Sequence, residues 1–207
     1  MQSQDEKNLW QERWQKGQTG WDQGGAHPGL RLLIAHARRE GALPEQARFY
    51  SAGCGSAHSE AELARQGYRV KAVDVSPLAI KKAKELYGDR TGLELSHSDL
   101  FRIEECDIKS YDAIYDRAML CALAPENRPA YIEAMKARLG AGGLFCAILF
   151  RAVKVQFHPP YPVDEQEVWR LLSKDFVLCY AATLPGTPVP AGIKEEWICI
   201  WRLRGAL

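Results

Sequence analysis

Between residues 47 and 150, short runs rich in apolar and β-branched or aromatic residues alternate with helical stretches carrying an apolar stripe, and glycines or caps mark the junctions. That strand, turn, helix rhythm limits the chain to a parallel sheet covered on both faces. Strands are expected at residues 47–52, 69–74, 93–96, 111–116 and 144–150. Helices are expected from the Gly53-Cys54-Gly55-Ser56 turn to Gln66, from Pro77 to Leu86 and from Glu126 to Leu139. Gly67 suits a helix C′ position, and Ser76 followed by Pro77 suits an N-cap and first helical turn. Two further helices precede the rhythm: residues 6–16, with Trp10 and Trp14 at i, i+4, and residues 28–39, with Leu30, Leu33, Ile34 and Ala37. After a Pro-rich loop (residues 158–162) come a helix at 164–173 and strands at 175–182 and 195–203, the last expected to run antiparallel. The result is a Rossmann-like, doubly wound α/β fold with seven strands. Residues 1–207 are expected to form one domain, with residues 1–40 as a helical cap over the ligand site.

The 27 Lys and Arg against 26 Asp and Glu give a formal net charge of +1. This supplies no broad electrostatic attraction for nucleic acid or an anionic membrane. The longest apolar run, residues 144–150, is far short of the roughly 20 residues a membrane helix needs. Residues 1–8 lack the apolar segment of a secretory signal. We therefore expect a cytoplasmic monomer acting on a small molecule. The six cysteines form no C-x-x-C and stand at no zinc-ligand spacing, so reduced, mostly buried thiols and no metal are expected.

In an open α/β sheet, ligands bind at the carboxyl ends of the strands beside strand one. Gly53-Cys54-Gly55 there permits a tight turn and close backbone approach. Asp74, 21 positions after Gly53 at the end of strand two, can accept ribose hydroxyls. Asp99, past strand three, can accept an adenine amino group or position the backbone amide that follows. A dinucleotide fingerprint requires a third glycine where His58 stands, so the turn suits a nucleoside without phosphates and opposes an NAD enzyme. S-adenosylmethionine is the common cofactor of that description. Three of six tryptophans, Trp10, Trp14 and Trp21, lie in the first 21 residues. Such a face can pack an adenine or a cation; Trp14 is expected in the core.

Leu9-Trp10-Gln11-Glu12-Arg13-Trp14, then residues 17–24 and His27-Pro28, resemble the opening of the thiopurine S-methyltransferase superfamily, which includes halide and thiol methyltransferases. Residues 111–118, Cys121-Ala122-Leu123 and residues 125–129 resemble its fourth-strand segment, and residues 159–163 with Glu167-Val168 its substrate-side loop and helix. The resemblance implies a seven-strand methyltransferase domain acting without metal. It also implies cofactor contacts from Trp10, Gly53, Asp74 and Arg117, with Trp21 and Asp99 as further wall residues. Cys54, Gly55, Val75, Ser76, Leu100 and Asp116 complete the expected cofactor set, and Trp21, His158 and Tyr161 the acceptor set. The Gly-Cys-Gly-Ser turn is closer to the halide and thiol branch. That branch usually shows an acid where Ser59 stands, whereas Arg117 is the thiopurine-like choice.

Methyl transfer from a sulfonium is an in-line displacement that demands alignment and a dry site more than a nucleophilic residue. Asp116 and Arg117 are the expected catalytic pair. Asp116 or His158 could accept a proton from a weakly acidic acceptor, and Arg117 could face an anionic acceptor or the cofactor carboxylate. The loop from Arg151 to Val163 reads as a lid. The acceptor is expected to be a thiol, with halide or metalloid methylation and a non-catalytic binding module as alternatives.

Overall fold

The computed structural model describes residues 4–151, 159–184, 186, 193 and 195–205. Its elements in chain order are α1 (Gln4–Gln15), α2 (Leu30–Arg39), β1 (Arg48–Ala52), α3 (His58–Arg65), β2 (Arg69–Asp74), α4 (Pro77–Tyr87) and β3 (Leu93–His97). They continue with β4 (Tyr111–Arg117), α5 (Met119–Ala122), α6 (Arg128–Arg138), β5 (Leu139–Arg151), α7 (Glu165–Leu172), β6 (Phe176–Leu184) and β7 (Glu195–Leu203). The seven strands form one sheet in the order β3-β2-β1-β4-β5-β7-β6. The first five are mutually parallel, and β7 inserts antiparallel to both β5 and β6. The expected fold and its antiparallel last strand are therefore present.

Each face of the sheet buries its own core because side chains alternate along a strand. On one face, Leu30, Leu33, Ile34 and Ala37 of α2 and Leu63 and Ala64 of α3 pack on Phe49, Ala113, Tyr115, Cys146, Ile148 and Ile198. On the other, Leu120, Tyr131, Ile132, Met135, Val168 and Leu172 pack on Tyr50, Ile114, Phe145, Ala147, Leu149 and Cys199. β1 lies between β2 and β4, so the connections leaving it and β2 run to one side while β4 lies on the other. This switch point opens a crevice at the strand ends.

Two differences from expectation have local causes. Strand five begins at Leu139 rather than Leu144, because Tyr111 pairs with Leu139 before the register jumps to Ala113 with Leu144. The glycine-containing insertion is accommodated as an irregularity that one-dimensional periodicity does not reveal. The short α5 follows Ala118, which adopts φ +66°, and it interrupts the loop expected there. Its backbone is held by Arg128. That guanidinium is fully buried and donates to Leu120 O (2.9 Å), Leu123 O (3.3 Å), Pro162 O (3.2 Å) and Glu167 Oε2 (2.6 Å). One side chain thus ties the β4–α6 connection to the segment entering α7. We expect Arg128→Met to lower the unfolding free energy by about 3 kcal/mol, because it orphans a carboxylate and three carbonyls. Urea unfolding measures this, and a midpoint unchanged from wild type contradicts it.

Candidate functional site

A cavity of about 390 Å³ opens at the carboxyl ends of β1, β2 and β4, beneath α1 and the segment joining α1 to α2. The volume lies in the roughly 300–1,000 Å³ range of small-molecule sites. Its floor is the β1–α3 turn, where Gly53 and Gly55 adopt φ +64° and +55°. A Cβ on Gly53 would overlap Met119 Sδ. A Cβ on Gly55 would project toward Trp14 (3.6 Å) and Trp21 (3.9 Å), into the space the turn leaves for a ligand. Cys54 N–H donates to Val73 O (3.1 Å), fastening the turn to β2.

Asp74 is buried and lines the cavity. Its Oδ2 accepts from Gly55 N–H (2.9 Å) and its Oδ1 from Ser76 N–H (2.8 Å). Burial raises its pKa despite those two donors. Val75 and Leu100 are wall residues, as expected. Ser76 is not: it caps α4 by accepting from Ala79 N–H (3.3 Å) and donates to Gln11 Oε1 of α1 (2.6 Å). Asp99 is also outside the wall. It positions the following backbone, accepting from Phe101 N–H (2.9 Å), and pairs with Lys7 of α1 at 2.6 Å; Ser98 and Leu100 line the cavity on either side of it.

The aromatic cap differs in one respect. Trp10 and Trp21 face the cavity as expected, meeting edge to face at 5.3 Å, but Trp14 is also a half-buried wall residue, 6.1 Å from Trp21, rather than core. The i, i+4 stripe that placed Trp14 beside Trp10 is present. It faces the cavity because α1 lies across the strand ends instead of against the sheet. Arg13, which the sequence reading did not single out, stacks over Trp10 (5.1 Å) and donates to Pro159 O (3.1 Å).

Asp116 and Arg117 sit on opposite faces of β4. Asp116 is fully buried away from the cavity, accepting from Met119 N–H (2.9 Å) and Tyr131 O–H (3.0 Å), and burial pushes its pKa up to about 6. Its geometry is that of a structural group holding α5, which corrects the expected catalytic and cofactor roles. Arg117 points into the cavity. Its Nη1 donates to Trp21 O (3.1 Å), while Nε and Nη2, one bidentate edge of the guanidinium, are buried without a hydrogen-bond acceptor. Nη2 lies 3.7 Å from Glu196 Oε1, and the guanidinium sits 5.9 Å from the Phe150 ring. Tyr161 donates its backbone N–H to Cys121 O (2.7 Å) and is not a wall residue, although Pro160 is. His158 lies outside the described residues, as does most of the expected lid.

Three polar groups of the wall were missed. His27 accepts from Gly29 N–H at Nδ1 (3.1 Å), which leaves the proton on Nε2, and donates it to Glu196 Oε2 (2.7 Å). Asp22 of the cap accepts from Ser56 Oγ–H (2.5 Å) and from His58 Nε2–H (3.0 Å); burial opposes its ionisation, but these donors, the Gly24 amide and the His58 charge together lower its pKa. Glu60, in the first turn of α3, is 5% exposed and accepts from Ser51 Oγ–H (2.7 Å). Burial pushes its pKa up to about 7 against the Ser51 bond and the Arg117 charge. An acid on the apolar stripe Ala57, Ala61, Ala64 was the readable signal. The Cys54 and Cys121 thiols also line the cavity, and burial raises both pKa values, so neither is an activated nucleophile.

The seven-strand order with its antiparallel β7, the open glycine turn and the acid ending β2 define a methyltransferase of the S-adenosylmethionine-dependent Rossmann-like class. Solved structures share the fold. One is a Burkholderia thailandensis 1,6-didemethyltoxoflavin-N1-methyltransferase with bound S-adenosylhomocysteine (TM-score 0.75, 19% identity, 96% of this chain and 87% of that one). Another is the magnesium protoporphyrin IX methyltransferase of Synechocystis (TM-score 0.72, 16% identity, 96% and 99%). The thiopurine S-methyltransferase family model matches residues 5–183. Thiocyanate methyltransferase 1 of Arabidopsis thaliana is 32% identical over 77% of this chain and 68% of its own length, and a thiopurine S-methyltransferase of Xanthomonas campestris is 33% identical over 79% and 80%. The chain belongs to the thiopurine S-methyltransferase family and is an S-adenosylmethionine-dependent methyltransferase. Among the described residues, no helix is long and apolar enough to cross a membrane.

Asp116 gives a test of the assignment of sides on β4. Its folded pKa is raised, so its contribution to stability is full below the unfolded value near 3.8 and is lost as pH rises through about 6. The span corresponds to about 3 kcal/mol. We expect Asp116→Asn to flatten the pH dependence of unfolding free energy between about 4 and 6 in urea titrations, with S-adenosylhomocysteine affinity changed less than about threefold. A large loss of affinity would return Asp116 to the cavity.

Proposed function

We propose that this methyltransferase methylates a small soft nucleophile, a thiol foremost, and that residues 1–207 act as one domain whose residues 1–40 cap the cofactor site. The cavity at the switch point carries the reading. The open turn at Gly53 and Gly55, the buried Asp74 carboxylate, the apolar Val75 and Leu100 and the tryptophan cap form one continuous wall. Asp74 would take the ribose, Val75 and Leu100 the adenine faces, and Trp10 with Trp21 the far side. When bound, S-adenosylmethionine would supply a sulfonium methyl open to attack by an acceptor's lone pair, with the neutral thioether S-adenosylhomocysteine as the leaving group. The chain's residues bind, align and dry the site: α1 covers the strand ends, and Phe150, Met119 and Trp21 keep water from the reacting region.

A thiolate needs no base, and among the described residues no thiol or hydroxyl of the wall is arranged as a nucleophile. Arg117 supplies the fixed positive charge, and its bidentate edge has no hydrogen-bond acceptor, which suits it to an anionic group. The family relatives named for thiocyanate and for thiopurines leave thiols, halides and metalloids as acceptors to be ranked by measurement. Ser59, where the halide and thiol branch usually shows an acid, accepts from His27 N–H (3.2 Å) and so has an architectural task. The balanced charge and the cysteines, all of them free thiols, support a small-molecule enzyme of the cytoplasm, and we propose that it acts as a monomer.

Calorimetric titration with S-adenosylmethionine, S-adenosylhomocysteine and NAD, followed by methyl transfer to aromatic thiols, sulfide and iodide, tests the function. We expect binding of the first two alone and turnover of at least one thiol. Binding without turnover of any acceptor refutes the enzymatic reading. Arg117→Lys keeps the charge and loses the fork; it should reduce kcat/KM by roughly 10- to 100-fold, in line with the loss of one charged hydrogen bond. Unchanged turnover and cofactor affinity would remove Arg117 from the site.

A further inference from the structure

Beneath the cavity, two carboxylates face one guanidinium. Glu60 comes from α3 and Glu196 from β7, with Arg117 of β4 close to both. Glu196 has a partner in His27, whose tautomer is fixed by the Gly29 amide. Glu60 accepts from the Ser51 hydroxyl (2.7 Å) and from its own backbone amide, and it borders the cavity directly. The groups facing it are Ser51 from β1, Cys54 from the turn, Asp74 from β2, and Tyr115 and Arg117 from β4. Of these, Arg117 alone carries a positive charge, and its Nε and Nη2 lack hydrogen-bond acceptors. A buried carboxyl and a guanidinium edge that has no hydrogen-bond acceptor, its Nη2 3.7 Å from Glu196 Oε1, form beside one cavity a receptor for a group bearing both charges.

Resting on the reading of this cavity as the cofactor site, we propose that Glu60 is the counter-ion of the α-ammonium of the cofactor's amino-acid end, with that edge of Arg117 taking its carboxylate. The family resemblance assigned nothing to position 60. The consequence is a proton linkage. Without ligand, burial holds the Glu60 carboxyl partly protonated, with a pKa of about 7. An ammonium beside it favours the ionised form, so binding expels a proton, and affinity rises with pH through neutrality.

Titration calorimetry with two inert ligands tests this without turnover. S-adenosylhomocysteine carries the amino-acid end, and 5′-methylthioadenosine keeps the nucleoside and thioether but lacks it. For the wild-type protein, we expect S-adenosylhomocysteine to bind roughly tenfold more tightly at pH 8 than at pH 6, releasing a proton at pH 6, while 5′-methylthioadenosine shows a smaller change. Glu60→Gln should abolish that excess pH dependence and weaken S-adenosylhomocysteine at pH 8 by at least about tenfold, leaving 5′-methylthioadenosine within about twofold. Ser51→Ala removes the hydroxyl that favours ionised Glu60, so the midpoint of the pH dependence should move upward. Equal weakening of both ligands by Glu60→Gln overturns the proposal in favour of a purely structural role, and so does unchanged S-adenosylhomocysteine affinity or an unmoved midpoint in Ser51→Ala. Failure of the wild-type protein to bind either ligand instead overturns the cofactor-site reading itself, and the assignment with it.

Discussion

The carboxyl edge of the sheet depends on the Asp74 carboxylate. By accepting the Gly55 amide it holds a turn that two positive-φ glycines make possible, and by accepting the Ser76 amide it sets the start of α4. Ser76 in turn caps α4 and hydrogen-bonds Gln11, which brings α1 over the strand ends. The tryptophan cap, which makes the crevice a cavity, therefore traces back to one acid at the end of β2. Burying that acid is costly, and its two backbone donors offset only part of the cost, as its raised pKa shows. A ligand that donates further hydrogen bonds to it would recover more.

Adjacent residues of β4 show how a protein can spend stability at a site and conserve it next door. Asp116 is as buried as a core residue, and its oxygens accept from a backbone amide and a phenol, which offset part of the burial cost that raises its pKa. One residue later the side chain emerges on the other face, and Arg117 keeps two donors without acceptors in a setting where an unpaired polar group is expensive. Phe150, Trp21 O and Glu196 position the guanidinium without satisfying it. Along β4, the buried polar atoms without a hydrogen-bond partner, those of Tyr115 and Arg117, fall on the cavity side.

The strand and helix rhythm was legible because each element carries its own period, and the switch-point location followed from the inferred strand order. Parity along β4 was also legible: Tyr115 and Arg117 must share a face that Asp116 cannot, and neglecting that alternation assigned Asp116 to the wrong side. Trp14 was misplaced because an apolar stripe states which residues face together, not what they face. Partnerships across long sequence distances were invisible. His27 with Glu196, Lys7 with Asp99 and His58 with Asp22 are fixed by how α1 and the cap segment fold over the sheet, which no local pattern encodes.

The Ser59-Glu60 pair illustrates how a small departure from a family pattern redirects charge. The halide and thiol branch that this chain resembles usually shows an acid where Ser59 stands. In this protein that position accepts the His27 amide, a task a neutral hydroxyl performs, and the acid stands one residue later. One residue on a helix is a rotation of about 100°. Glu60 therefore presents its carboxyl to the Ser51, Tyr115 and Arg117 side of the cavity, whereas Ser59 meets the cap. The acid of this pair therefore stands on the buried floor of the ligand site, where burial pushes its pKa up to about 7.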